Sequence, residues 1–158
     1  MAITQAMTNS FKVDILSGGM NFNTTNRALT VNTQDTFKIA LYYPAASASL
    51  DATTTAYTAT AEVSSSGTGY TTGGNTLTVS QVPTSAGTPS TTAYINFANT
   101  SWGTTASFSA DGALIYNASN ANRSVCVLNF GGTKTVTSGT FTIQFPVAGT
   151  GSSIIQIA

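Results

Sequence analysis

The sequence lacks histidine altogether and contains few charged residues. Its 158 residues include five Lys or Arg and five Asp or Glu, so that charged residues make up 6% of the chain and the formal net charge is zero. Without histidine the chain has neither the usual general base nor the commonest metal ligand, and no Ser-His-Asp arrangement can form. The acidic residues lie far apart in sequence, which favours scattered carboxylates over a paired acid–base site. We therefore expect no enzymatic activity, no cofactor and no metal site.

The scarcity of basic residues and of cysteine bears on partners and location. The Lys and Arg residues between Lys12 and Lys134 form no basic stripe, which argues against nucleic-acid binding. No apolar run approaches the roughly 18 residues of a membrane span, and "MAITQAMTNS" has no signal-peptide pattern. We therefore expect synthesis in a cytoplasm and no membrane partner. Cys126 is the only cysteine, so no intrachain disulfide can form, and "RSVCVLNF" predicts a small buried residue in a strand.

Thr, Ser, Asn and Gly are abundant, and the hydrophobic fraction is an ordinary 41%. Disordered chains typically combine low hydrophobicity with high charge, and this sequence has neither property. The length suits one folded domain over residues 1–158. A surface of neutral polar side chains gives little repulsion between molecules. We therefore predict that the protein associates, either with copies of itself or with other subunits.

Alternating apolar residues predict a mainly β fold, namely an antiparallel β-sandwich of jelly-roll or immunoglobulin-like type. Strand patterns separated by short turn clusters recur along the chain, which is typical of such sandwiches. If these segments were helices, half of their apolar residues would be exposed. The residues that this pattern places in the core are Phe37, Ile39, Leu41, Leu114, Val125, Val127, Phe141, Ile143 and Phe145.

One segment near the N-terminus is ambiguous between helix and strand. Met7, Phe11 and Ile15 fit helical spacing, while the alternation within "FKVDI" also fits a strand. Glycine readily adopts the left-handed conformation that ends a helix. The pair Gly18-Gly19 therefore favours a short N-terminal helix that stops there.

Glycine pairs and one proline predict the main turns. "SSSGTGYTTGGNTLTVS", residues 64–80, contains no charge, but its period-two apolar residues predict a strand–turn–strand hairpin rather than a linker. "FGGTK" predicts a second turn with Lys134 as its solvated tip. Pro44 is expected to end the strand that contains "DTFKIALYY".

The candidate interface residues are Ile154, Ile155, Ile157 and Trp102. "SSIIQIA" has three isoleucines within four residues, more than one face of a single strand needs. This end could add a strand to the open sheet edge of a partner, or it could complete the core of its own chain. Trp102 could stack on a sugar, but packing in a core or an interface is the favoured interpretation.

An ordered set of segments resembles a known family. It comprises "DTFKIALYYP", "LDATTTAYTATAEV", "GTGYTTGG", "GALIYN", "VLNFGGTK", "FTIQFP" and "IIQIA". Together, over nearly the whole chain, these segments resemble a family of small virion proteins of tailed bacteriophages. The resemblance implies an assembly role in the virion after synthesis in the host cytoplasm.

The expected function is that of a capsid decoration, or cement, protein. Such a protein would bind the major capsid protein at joints of the head shell, and a trimer would suit the local three-fold positions better than a dimer. Other virion proteins are the expected partners if the chain is instead a tail, fibre or head–tail connector component. A carbohydrate-binding or lytic module that uses Trp102 and the six tyrosines is the third alternative.

Overall fold

The structure is a computed structural model that describes residues 3–23, 33–43, 49–85, 91–149 and 151–158. This part of the chain forms one short helix and eight strands, so the prediction of a mainly β fold with an N-terminal helix is confirmed. In chain order the elements are β1 Ala6–Met7, α1 Asn9–Ser17, β2 Phe37–Tyr42, β3 Asn75–Leu77, β4 Val79–Ser85, β5 Ala93–Phe97, β6 Thr100–Asn117, β7 Arg123–Ile143 and β8 Ile155–Ile157.

The strands form two antiparallel sheets. The larger sheet has the order β1-β7-β6-β2-β3, and the smaller has the order β4-β5-β8. β6 and β7 are much the longest strands and form a hairpin whose register runs from Asn117↔Arg123 near the turn to Thr100↔Ile143 at the far end. β2 pairs with β6 only next to the turn, from Phe37↔Asn117 to Tyr42↔Gly112. The half of the hairpin that lies far from the turn therefore extends beyond the end of β2.

Helix α1 ends at the glycine pair, as the sequence predicts, and it begins after Thr8. The Thr8 side chain accepts a hydrogen bond from the Phe11 N–H at its N-terminus, and Gly18 adopts a left-handed conformation at φ 75° at its C-terminus. A capping hydroxyl and a left-handed glycine each satisfy backbone groups that a helix leaves unpaired at its ends. Phe11 is completely buried, whereas Val13 and Leu16 are exposed, so only one side of the helix packs on the sheets.

The larger sheet is buried on both faces near its centre. Successive residues of β2 alternate between two apolar clusters: Ile39 and Leu41 belong to the main core, and Ala40 and Tyr42 belong to a smaller cluster on the opposite face. Ile3 and Leu50 cover that smaller cluster. Seven of the nine predicted core residues are buried. The other two, Phe141 and Phe145, are half-buried at the margin of the main core.

The hairpin predicted for residues 64–80 is wrong in its first arm. Residues 64–72 form bends and turns, and the strand that follows the Gly73-Gly74 turn, β3, pairs with β2 instead. The segment is nevertheless part of the folded body, because Tyr70 is 3% exposed. Gly74 has φ +68°, and a Cβ at this position would lie 1.8 Å from the Ile39 carbonyl oxygen. The close approach of the chain to β2 therefore explains why position 74 is a glycine.

The turn predicted at "FGGTK" is also wrong. β7 continues through it, and Lys134 pairs with Ala110 within the strand instead of lying at a loop tip. Gly131 and Gly132, at φ 69° and 129°, lie in a bulge between the pairs Gly112↔Asn129 and Ala110↔Lys134. Glycines of positive φ accommodate bulges as well as turns, and the sequence did not distinguish the two. β2 ends at Tyr42, and Pro44 lies outside the described residues.

Candidate interaction surface

The outer edge of β7 is open over most of its length. β1 pairs with β7 only at Met7↔Cys126 and Ala6↔Val127. Before β1 the chain turns away from β7, since Ile3 forms a parallel bridge with Leu50 in the smaller cluster on the other face of the sheet. Among the described residues, none forms a ladder with the outer side of β7 beyond Val127. We call the stretch Lys134–Ile143 the β7 edge.

An apolar trough of about 560 Å³ runs beside the β7 edge, between the two sheets. Its floor includes three half-buried aromatic side chains, those of Phe130, Phe141 and Phe145. The ring centroid of Phe141 lies 5.1 Å from that of Phe108 and 6.3 Å from that of Phe130, so the trough opens directly onto the core. The full lining is Gln5, Leu128, Phe130, Lys134, Phe141, Thr142, Ile143, Gln144, Phe145, Pro146 and Ile154.

Lys134 is the charged group of this surface. Its side chain is exposed, and the ion pair found among the described residues joins Arg123 to Asp14 at 2.5 Å, away from the trough. A lysine and bulges on an edge strand both discourage uncontrolled strand pairing. Ser138 at φ 46° interrupts the β7 edge, and the register shifts of the β6–β7 hairpin include one between Gly139 and Phe141. The β7 edge is thus divided into short extended pieces, of which Gly139–Ile143 is the one after Ser138. The surface is therefore suited to a short and specific strand.

The outward face of the same hairpin carries neutral hydroxyl groups. Ser101 and Thr142 lie opposite each other with their oxygens 2.8 Å apart, and Ser109 and Thr135 form a second pair at 2.8 Å. Each hydroxyl satisfies its neighbour, and the exposed side of the strands stays uncharged. This face can approach another protein without a large cost of removing water from ions.

The structure places the C-terminal isoleucines in the sheets of their own chain. β8 pairs with β5 through Ile95↔Ile155 and Ala93↔Ile157. Ile155 is 4% exposed and Ile157 is 47% exposed, while Ile154 is half-buried and lines the trough. Ile155 thus completes the core of its own chain, and Ile154 contributes to the candidate surface.

Ile155 and Ile157 also border a second groove, of about 380 Å³, between α1 and the smaller sheet. Asn23, which lines this groove, directly precedes residues that the structure does not describe. We therefore base no site on this second groove.

Trp102 lies inside the core rather than on the surface. Its side chain is 3% exposed, and its ring stacks on that of Tyr70 at a centroid distance of 5.9 Å. Its buried Nε1 has no hydrogen-bond partner among the described residues. The indole ring is therefore not accessible for stacking on a sugar or for contact with a partner. The choice of Trp102 as an interface residue is wrong, because the ring fills the core of its own chain.

A buried carboxylate, Glu62, organises the loops on the far side of the larger sheet. It is 9% exposed and accepts hydrogen bonds from the Tyr57 hydroxyl at 2.6 Å, the Tyr70 hydroxyl at 2.7 Å and the Gly73 N–H at 2.6 Å. The Tyr116 hydroxyl donates to the Gly73 carbonyl oxygen at 2.8 Å. All these groups satisfy one another, which indicates a structural role.

Four tyrosines surround Glu62, and we call them the tyrosine cluster: Tyr42, Tyr57, Tyr70 and Tyr116. Burial raises the pKa of the Tyr116 hydroxyl from 10.0 to about 12, with the negative charge of Glu62 as the second cause. Burial followed by the same charge raises the pKa of Tyr42 further. The pKa values of Tyr57 and Tyr70 are also raised well above 10.0, and burial is again the largest cause. These hydroxyls stay protonated near neutral pH and act as donors to the carboxylate and to backbone oxygens.

The remaining groups that could carry chemistry are inert or dispersed. Burial raises the pKa of the Cys126 thiol to about 12, which suppresses the reactive thiolate. In the part of the chain that the structure describes, no group of three acidic, cysteine or histidine side chains could hold a metal ion. No helix there is long and apolar enough to cross a membrane.

Comparison with known proteins gave no relative. No protein-family model, no curated protein and no solved structure matches the chain.

The β7 edge was not predicted from the sequence. The available signals were Lys134 and the Gly131-Gly132 pair, which were interpreted as features of a turn. A lysine and a bulge in one strand are also how proteins protect an open edge.

Proposed function

We propose that this chain is a structural protein of a tailed-bacteriophage virion, and specifically a decoration protein that binds the major capsid protein on the head shell. The observation that carries the proposal is the open β7 edge beside an apolar trough. A strand edge and a trough are means of attachment to another protein and need no chemical step. The resemblance of the ordered sequence segments to small phage virion proteins supports the same class.

Self-association is part of this proposal. A nearly uncharged surface relies little on repulsion between molecules, so copies placed close together can pack side by side. We expect a homo-oligomer, with a trimer favoured over a dimer. Sedimentation velocity at rising protein concentration measures this directly. A monomer at every concentration that also fails to bind phage shells would contradict the proposal.

Quantitative mass spectrometry of purified phage particles tests the location. A decoration protein is expected in hundreds of copies per particle, in a fixed ratio to the major capsid protein. A few copies, up to dozens, would assign the chain to the tail, a fibre or the head–tail connector instead. Complete absence from washed particles that were made in cells expressing the chain would refute a virion role.

A further inference from the structure

We propose that the β7 edge is an acceptor site for an extended segment of a neighbouring virion protein, which adds a strand to the larger sheet and places its apolar side chains in the trough. The identity of the partner as a virion protein rests on the proposed function. The site itself rests on the geometry of β7.

The main chain of β7 offers hydrogen-bonding groups along the β7 edge. Alternate N–H and C=O groups of an edge strand point sideways, away from the neighbouring strand. In Gly139–Ile143 the chain is extended, and the described residues supply no ladder on that side. A second extended main chain satisfies such a row of groups in register, which an isolated side chain or small molecule does not.

An added strand would occupy a position that continues the larger sheet. β1 lies on this side of β7 at Cys126 and Val127, and a strand beside the β7 edge would continue its line past Gln5. Within the described residues, the chain before β1 does not continue alongside β7, because Ile3 forms a bridge with Leu50 instead. The place next to β7 is therefore a position of the sheet that the described residues leave to another chain.

The trough would receive side chains of the added strand. Side chains of an added strand alternate between the two faces of the sheet, so every second one would point between the sheets. There they would meet Phe130, Phe141, Phe145 and Ile154. We therefore expect the inserted segment to carry apolar residues at alternate positions and small polar residues between them.

Charge favours a different protein over a second copy of this chain as the occupant of the β7 edge. Lys134 at the rim calls for a carboxylate on the inserted segment. Most carboxylates described here are already engaged: Asp14 by Arg123, Asp35 by Asn117, and Glu62 by the tyrosine cluster. Asp51 likewise accepts hydrogen bonds from Thr53. Asp111 has a buried Oδ1 without a hydrogen-bond partner, but it lies within β6, which already pairs with β7. None of these acids therefore lies on an extended segment of a second copy that is free to pair with the β7 edge.

Hydrogen–deuterium exchange of the full chain, free and in purified particles, tests this inference. We expect the amides of Gly139–Ile143 to exchange more slowly in particles than in the free protein. β8, the edge strand Ile155–Ile157 of the smaller sheet, serves as the internal comparison. Protection of β8 without protection of the β7 edge, or protection of neither, would overturn the inference. Both results would leave the virion role standing, because the chain would still be present in particles.

Charge reversal provides a second, independent readout. Lys134→Glu should reduce incorporation into particles by about tenfold in competition with the native chain, because it repels the expected carboxylate. Lys12→Glu is the matched control, since Lys12 is also exposed but lies on α1, and it should incorporate normally. Lys134→Gln should be intermediate. Equal incorporation of the two Glu variants, with unchanged melting temperatures, would refute the role of Lys134.

Discussion

Replacing Glu62 tests whether one buried carboxylate holds the loops against the larger sheet. Glu62→Ala removes the acceptor of two buried donors, the Tyr70 hydroxyl and the Gly73 N–H. A buried donor left unpaired costs about 1–3 kcal/mol, so the two together cost about 4 kcal/mol. The half-buried Tyr57 hydroxyl can turn to water and adds little. For a chain of this length, about 4 kcal/mol lowers the melting temperature by about 10 °C.

Glu62→Gln is the matched comparison, because it keeps the shape of the side chain. The amide oxygen can take the position of Oε1 and keep both buried donors, while the amide nitrogen faces the Tyr57 hydroxyl, which must then accept. Only the contribution of charge to the hydrogen bonds is lost, and we expect a loss of about 1–2 kcal/mol.

Urea unfolding followed by tryptophan fluorescence measures both variants, since Trp102 stacks on Tyr70. We expect the order native, Gln, Ala in the free energy of unfolding. An Ala variant within about 1 kcal/mol of the native protein, or a Gln variant less stable than Ala, would refute the assignment of Glu62 as the organising acceptor.

Three further predictions concern the rest of the fold. The free energy of unfolding should be at its full value below pH 10 and should fall as the pH rises toward the raised folded pKa values of the tyrosine cluster, because the unfolded chain loses these protons first. A tyrosinate absorbance titration that proceeds without unfolding would contradict this. Gly74→Ala should prevent folding, because its Cβ would clash with the Ile39 carbonyl oxygen. Gly67 has a similar φ of +70° but lies in open space, so Gly67→Ala should fold with a modest loss of melting temperature, measured by calorimetry. Deleting residues 153–158 should destabilise the free protein by at least the roughly 1.5–3 kcal/mol of one buried isoleucine, since Ile155 is in the core. An unchanged melting temperature would instead favour an anchor role for this end.

Local signals predicted those elements whose structure is decided locally. The helix α1 depends on a capping threonine and a left-handed glycine, both within a few residues of its ends. The core residues of β2 follow from simple alternation, because a strand buried on one side repeats every second residue. The second apolar cluster behind β2 was not predicted, since it needs the loop around Leu50 to fold over the sheet.

The remaining features depend on which segments meet, and one sequence does not determine that. Glu62 is an isolated acid in a Thr-rich stretch, and its partners lie on separate segments that come together only after folding. The bulge at Gly131 and Gly132 has the composition of a turn, and only the long partner strand β6 keeps β7 extended through it. The sequence left Trp102 between a core and an interface, because a large aromatic side chain suits both, and only the fold places it in the core.

The distribution of charge explains why attachment through main chain and apolar groups suits this protein. Asp14 and Glu62, two of its few charged residues, are buried and satisfied within the fold, so few charges remain on the surface. Exposed ion pairs contribute little to binding and are weakened by salt. A strand added to the β7 edge would gain hydrogen bonds and apolar contacts, which ionic strength hardly affects. On this surface Lys134 then selects the register of the partner, while Gly139–Ile143 and the trough supply the binding energy.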